Sequence, residues 1–171
     1  MKKTDLSQLA REDAFNLIGK EWMLVTAGTL EHYNTMTASW GGIGWLWNKP
    51  VAFVFIRPER FTHQFIEENE RMTLSFLGEA HRDILNFCGS KSGRDHNKAK
   101  ETGLQPVKTE LGCVAFQQAR LTLEGRKLYK SAFKAEDFLD KVALERWYND
   151  KPGGSLHDVY VVEIENVYTA E

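Results

Sequence analysis

The sequence predicts a mainly β protein, a β-barrel with short helices set between its strands. Three observations carry this. Apolar or alternating runs of strand length recur from Glu21 to Tyr168. The helical patterns between them are short. The alternation of strands with long helices that a parallel, doubly wound sheet requires is missing.

Taken in chain order, Arg11 to Ile18 reads as a helical turn with Phe15 and Ile18 facing inward. Trp22, Met23, Leu24 and Val25 mark a buried strand over Glu21 to Ala27, closed by Gly28. A turn through Glu31 then leads to an antiparallel partner over Tyr33 to Trp40. Gly41, Gly42 and Gly44 break the pattern ahead of Trp45, Leu46 and Trp47. Pro50 opens the strand Val51 to Ile56, whose unbroken apolar character implies that both faces are covered. Phe61, Phe65 and Ile66 give a short helix to about Asn69, with Glu67, Glu68 and Glu70 at the end where the helix dipole disfavours them.

Met72, Leu74 and Phe76 alternate with Thr73 and Ser75, as in a half-buried strand reaching Leu77. His81 to Phe87 reads as a helix burying Ile84, Leu85 and Phe87. Asp95 is the expected N-cap of a helix through Lys100 that Gly103 ends. Cys113 to Leu123 is a long strand, and Gly125 marks a turn or a bulge before Lys127 to Phe133. Phe138, Leu139, Val142 and Trp147 place a helix over Asp137 to Trp147. Pro152 to Ser155 is a loop, and Val159 to Tyr168 is a closing strand with Tyr160, Val162 and Ile164 on one face.

At 171 residues the chain reads as one domain over 1–171, with no repeat, linker or low-complexity tract. Its net charge of −2 argues against nucleic acid or an acidic membrane surface as partner. No apolar run follows the basic start as a signal peptide needs, and Val51 to Ile56 is too short to span a bilayer. Cys88 and Cys113 show neither metal-ligand spacing nor a disulfide framework, so a cytoplasmic location is expected.

The chemistry concentrates in Asn34-Thr35-Met36-Thr37-Ala38-Ser39-Trp40-Gly41-Gly42. Small polar side chains beside two glycines admit a flat ligand close to the backbone, whose N–H and C=O groups can read a ring edge. Ile56-Arg57-Pro58-Glu59-Arg60-Phe61-Thr62 leaves a strand with two arginines and places Thr62 at a helix start, where free N–H groups favour an anion. Lys91 and Ser92, within Ser90 to Gly93, form a second cationic loop able to present backbone N–H groups. A ring cradle beside a phosphate cradle is what flavin mononucleotide (FMN) needs.

Blander readings exist for each feature. Thr62 can simply cap its helix while Arg57 pairs with Glu59, and Asn34-Thr35 can be turn residues. Any one of the five tryptophans can be an ordinary core or interface anchor. The five histidines lack metal-ligand spacing, no Gly-x-Ser-x-Gly elbow occurs, and Cys88 reads as a small buried hydrophobe.

Several blocks together resemble the flavin reductase-like family of FMN-binding split barrels, in particular its flavoredoxin-like branch. These are the Asn34 to Gly42 stretch, Asn48-Lys49-Pro50 with the strand after it, Arg57-Pro58 with Thr62, Phe87 to Asp95, Glu101 to Pro106, and His157 ahead of the last strand. The resemblance implies a split β-barrel of Greek-key type with FMN near the interface of a homodimer. It also implies electron transfer from NAD(P)H through FMN to free flavin or another acceptor. A carrier fed by a donor protein without NAD(P)H, or a non-catalytic FMN-binding protein, are the alternatives. Asn34, Thr35, Met36, Thr37 and Ala38 would meet the ring and Trp40 would pack at its edge. Arg57, Thr62, Lys91 and Ser92 would hold the phosphate. His157 would position the nicotinamide or, as an imidazolium, stabilise reduced flavin. Ser155-Leu156 stands where the family's reductases carry Gly-Asp, which weakens the nicotinamide half of the likeness more than the flavin half.

Overall fold

The computed structural model describes residues 1–149 and 155–170. Its strands are β1 (Lys2–Thr4), β2 (Met23–Thr29), β3 (His32–Ala38), β4 (Gly41–Leu46), β5 (Lys49–Ile56), β6 (Arg71–Phe76), β7 (Pro106–Lys108), β8 (Val114–Phe116), β9 (Leu121–Ala132) and β10 (Asp158–Thr169). The helices are α1 (Ala14–Asn16), α2 (Phe61–Glu68), α3 (Arg82–Ser90), α4 (Lys98–Thr102) and α5 (Lys141–Tyr148).

One antiparallel sheet runs in the order β3-β2-β6-β9-β10-β5-β4, with β1 added on β10 and with β7 and β8 forming a separate pair. Strands β3 and β4 are the two ends of that path, yet only Ser39 and Trp40 lie between them. Such a link spans roughly 10 Å. The sheet must therefore curl until its ends nearly meet, which makes a barrel left open along the free edge of β3. Leu17, Val25, Met36, Val54, Ile66 and Tyr160 belong to the core inside it. A smaller cluster, with Leu24, Leu85, Cys88 and Phe116, seats α3 outside.

Several expectations change. Gly41 to Leu46 is a strand paired with β5, because Trp47 and Asn48 both take positive φ and close a two-residue hairpin. Phe15 is exposed rather than turned inward, while Leu17 and Ile18 enter the core. Phe53 and Phe55 are only half-buried, so one face of β5 is incompletely covered. Thr73 and Ser75 are fully buried, with Thr73 Oγ1 donating to the Val114 carbonyl and Ser75 Oγ bonded to Thr122 Oγ1 at 3.1 Å. The segment carrying β8 covers what would otherwise be a wet face.

The long strand expected from Cys113 is broken between β8 and β9. Gly125 sits inside β9 opposite a bulge in β10, where a Cβ would come within 2.4 Å of the Glu163 carbonyl oxygen. Asn97, not Asp95, caps α4, its side chain accepting from Lys100 N. The helix expected over Asp137 to Trp147 is shortened to α5, and Leu139 and Val142 are exposed instead of packed. Glu67, disfavoured by the dipole of α2, is held by Lys130 Nζ and the Tyr160 hydroxyl, each at 2.7 Å. The loop expected over Pro152 to Ser155 lies outside the described residues except for Ser155. No helix among the described residues is long and apolar enough to cross a membrane.

Candidate functional site

The free edge of β3 organises the site. Asn34, Met36 and Ala38 alternate with Thr35 and Thr37, so the two sets face opposite sides of the strand. Met36 and Ala38 enter the core. The hydroxyls of the other set are already engaged. Thr35 Oγ1 lies 2.8 Å from Thr26 Oγ1, and Thr37 Oγ1 donates to the Leu85 carbonyl at 2.5 Å. The hydroxyl-rich stretch therefore offers a ligand its backbone rather than its side chains.

Two adjoining cavities open along this edge. One, of about 200 Å³, is walled by Met36 to Ala38 of β3, by Ser39 and Trp40 just after it, and by Phe55, Arg57, Arg60 and His157. The other, of about 250 Å³, lies between the start of α2 and the loop after α3. Arg60 borders both and donates from Nη2 to the Gly89 carbonyl at 3.0 Å. The second cavity also takes Lys91, Arg94 and Lys98 on its wall against the single carboxylate of Glu59, so its field is positive. Arg60 caps α2 without a side-chain hydrogen bond to the helix; His63 N donates to the Arg60 carbonyl at 2.9 Å, and the N–H groups of Phe61 and Thr62, which border the cavity, have no acceptor among the described residues.

Close packing shapes the second cavity. Thr62, fully buried, accepts from Asn34 Nδ2 at 2.8 Å, which ties β3 to α2. Gly93 passes so near Asn34 that a Cβ there would lie 2.0 Å from Oδ1. Lys98 Nζ donates to the Thr35 carbonyl at 2.7 Å and to the Cys88 carbonyl at 2.8 Å. Burial pushes its ammonium down to about 8.

An aromatic group borders the first cavity. Trp40 meets Trp147 of α5 edge-on at 5.1 Å and the His157 ring at 5.4 Å. The Tyr148 hydroxyl bonds His157 Nδ1 at 2.8 Å. Burial, with Arg57 and Arg60 near, pushes His157 down to about 4, so the ring is neutral at pH 7. The imidazolium role expected from the sequence does not match this environment.

The structure thus brings Met36, Thr37, Ala38, Trp40, Arg57 and His157 to one cavity and Asn34, Thr62, Lys91 and Ser92 to the other. Thr35 borders neither. Arg57 stands with the ring-sized cavity and not the cationic one, because its guanidinium is drawn to α5. Ser92 works chiefly as a turn residue, its Oγ accepting from Arg94 N and its carbonyl from His96 N. Arg94 and Lys98 have no role in the sequence reading, and Arg60, one of its two arginines at the strand exit, is not among the residues expected to hold the phosphate. Arg60 had a sequence signal, since it immediately precedes the helix start at Phe61. Lys98 had none that separates it from Lys100, because its burial comes from α4 being laid against β3 and α3.

A family model described as the flavin reductase like domain matches residues 15–171. The chain belongs to that family. Membership supports a flavin-related oxidoreductase role. No curated protein matches this flavin reductase-like chain in sequence. Solved structures share its fold. An FMN-binding protein from Thermus thermophilus with bound p-hydroxybenzaldehyde is 22% identical at a TM-score of 0.67, the match covering 86% of this chain and 70% of that one. Flavoredoxin of Desulfovibrio vulgaris (Miyazaki F) is 21% identical at 0.68, covering 100% and 78%. A Streptomyces globisporus NADH:FAD oxidoreductase is 13% identical at 0.64, covering 87% and 75%.

Proposed function

We propose that this flavin reductase-like chain binds FMN and moves electrons from NAD(P)H to free flavin or another acceptor. The observation that carries the reading is the meeting of a ring-sized cavity and a cationic cavity at Arg60. The residues present fit the group. Four cations border the second cavity, and Gly93 lets its loop pack directly against Asn34 at the cavity wall, where a Cβ would collide with the amide. FMN, when bound, supplies a ring that takes up a hydride or single electrons reversibly.

The protein's own residues divide the remaining work. Arg60, Lys91 and Arg94 would neutralise the phosphate, with Lys98 behind them and the Phe61 and Thr62 N–H groups at the start of α2 available to it. The backbone of Met36 to Ala38 binds the polar edge of the ring, while Thr37 is locked by its bond to Leu85 and cannot rotate toward it. Trp40 and Trp147 exclude water at the rim. Neutral His157, fixed by Tyr148, positions a partner molecule by hydrogen bonding and does not serve as a fixed charge.

A second copy of the chain is the proposed partner. Trp45, Trp47 and Tyr129 leave an apolar group at the hairpin end of β4 largely exposed, with Trp47 and Tyr129 rings 6.2 Å apart. Sedimentation giving twice the chain mass supports this; a monomer at micromolar concentration opposes it.

The test of function begins with FMN titration, followed by anaerobic addition of NADH and then NADPH to the loaded protein. Bleaching of the flavin band by either supports the reductase. A flavoredoxin-like carrier is the second reading, favoured by the crowding of Trp40, Trp147 and Tyr148 on the side of the cavity where His157 stands. It gives no bleaching with either nicotinamide but reduction by a low-potential protein donor. Binding without reduction by any donor leaves an FMN-binding protein.

A further inference from the structure

His157 has two ring nitrogens, and the fold occupies one of them. Nδ1 lies 2.8 Å from the Tyr148 hydroxyl, while Nε2 has no hydrogen-bond partner among the described residues. His157 borders the ring-sized cavity, and Tyr148 stands outside it. The Tyr148 ring is held from two sides, with the Arg57 guanidinium 5.1 Å from its centre and Phe138 edge-on at 5.7 Å. Its hydroxyl therefore meets Nδ1 from a fixed direction.

The proton in that bond can be placed. A phenol is a stronger acid than a neutral imidazole N–H, and a bare imidazole nitrogen is a better acceptor than a phenol oxygen. Burial raises Tyr148 above the ordinary phenol range, so it keeps its proton, and it has no other acceptor among the described residues. The hydroxyl donates to Nδ1, which leaves the single ring proton of neutral His157 on Nε2. Arg57 and Arg60 share the wall, and no carboxylate among the described residues borders it. Apart from the Ser39 hydroxyl, which can act either way, the polar side chains there are N–H donors. Such a wall suits a ligand oxygen and disfavours an amine. We propose that Tyr148 is a positioning residue that locks His157 as the Nε2–H tautomer, so that the site selects a second molecule by its carbonyl oxygen. That this molecule stacks on FMN rests on the function proposed above; the tautomer does not.

The test is nitrogen NMR of the isotope-labelled full chain at pH 7, with Tyr148→Phe beside the wild type. Tyr148 lies on α5, which has no buried side chain, so folding is least at risk there. The wild type is expected to show a protonated Nε2 and a bare, hydrogen-bonded Nδ1 in His157. In the variant Nδ1 should shift to the position of an unbonded nitrogen or take up part of the proton. Two probes of one shape, acetophenone and α-methylstyrene, are then titrated into the chain with and without FMN and followed through the same ring resonances. The second carries a methylene where the first has its oxygen. Tyr148→Phe is expected to weaken the ketone by about 3-fold or more and the alkene by less than about 1.5-fold. A proton on Nδ1 in the wild type overturns the proposal, as does an Nδ1 resonance that the variant leaves in place. So does equal weakening of the two probes, or no ketone binding at millimolar concentration in either form. Failure to bind FMN with the other results intact removes the flavin reading and leaves the positioning role; FMN binding with the proton on Nδ1 does the reverse.

Discussion

Arg57 Nη2 donates to the main-chain carbonyl of Trp147 at 2.6 Å, and the same guanidinium lies 5.1 Å from the centre of the Tyr148 ring. A residue at the exit of β5 thereby fastens the end of α5, a helix with no buried side chain of its own, against the ring-sized cavity. Removing the fastening should loosen the aromatic group more than the barrel. Arg57→Ala is expected to cost about 1–2 kcal/mol of stability. Hydrogen exchange should rise in 141–149 and stay unchanged in β5. Equal exchange in both segments would show that α5 is held by something else.

Gly93 and Asn34 offer a sharper probe of the cationic cavity. A methyl group at Gly93 has to displace an amide that Thr62 holds in place. Gly93→Ala should weaken FMN binding by about 10-fold or more, while global stability falls by only about 1 kcal/mol, because the displaced group is a side-chain end. Thr62→Val, which removes the acceptor for Asn34 but keeps the volume, should weaken binding in the same direction. Full FMN affinity in both would detach this corner from the phosphate.

Lys98 predicts a pH dependence. Its ammonium titrates near 8, well below an ordinary lysine, because α3, α4 and β3 bury it. A phosphate dianion favours the charged form, so binding draws in a proton once pH passes 8. FMN affinity should fall as pH rises from 7 to 9.5, by up to about tenfold per unit above 8. Lys98→Met should bind more weakly at pH 7 and lose that slope. A wild-type profile flat across this range would mean that Lys98 stays outside the phosphate field.

Much of the barrel was legible because core strands announce themselves by pattern. Val51 to Ile56 and Val159 to Tyr168 were found nearly at their observed limits. What escaped depends on contacts made across the chain. Nothing in Thr73 and Ser75 tells that β8 will cover them and supply the Val114 carbonyl. Gly41 to Leu46 lacks strand composition and becomes a strand because a hairpin at Trp47-Asn48 folds it onto β5. In the site, the polar stretch was recognised, but the task of its hydroxyls was not, since Thr26 and Leu85 that engage them are remote or out of pattern. Arg57, expected at the phosphate because its fork suits phosphate oxygens and because Arg57-Pro58 with Thr62 resembles the family, is drawn to α5 instead.

His157 makes the acid side of the stability profile a measurement of its burial. The folded ring titrates near 4 and an unfolded histidine near 6.5. Between these values the unfolded chain holds a proton that the native chain refuses, so stability rises with pH across the window and is complete above 6.5. The loss on going from 6.5 to 4 should reach about 3 kcal/mol. The Tyr148 hydroxyl at 2.8 Å from Nδ1 and the Trp40 ring enclose the imidazole, and Arg57 and Arg60 oppose its charge. His157→Gln keeps a hydrogen-bonding group without a titrating one. Its urea midpoint should fall less than the wild type's between pH 7 and 4.5, with the difference confined to that window. Parallel midpoint curves for the two proteins would show that the imidazole takes its proton in the native state at an ordinary pH. The neutral positioning role assigned to it beside the ring-sized cavity would then fail.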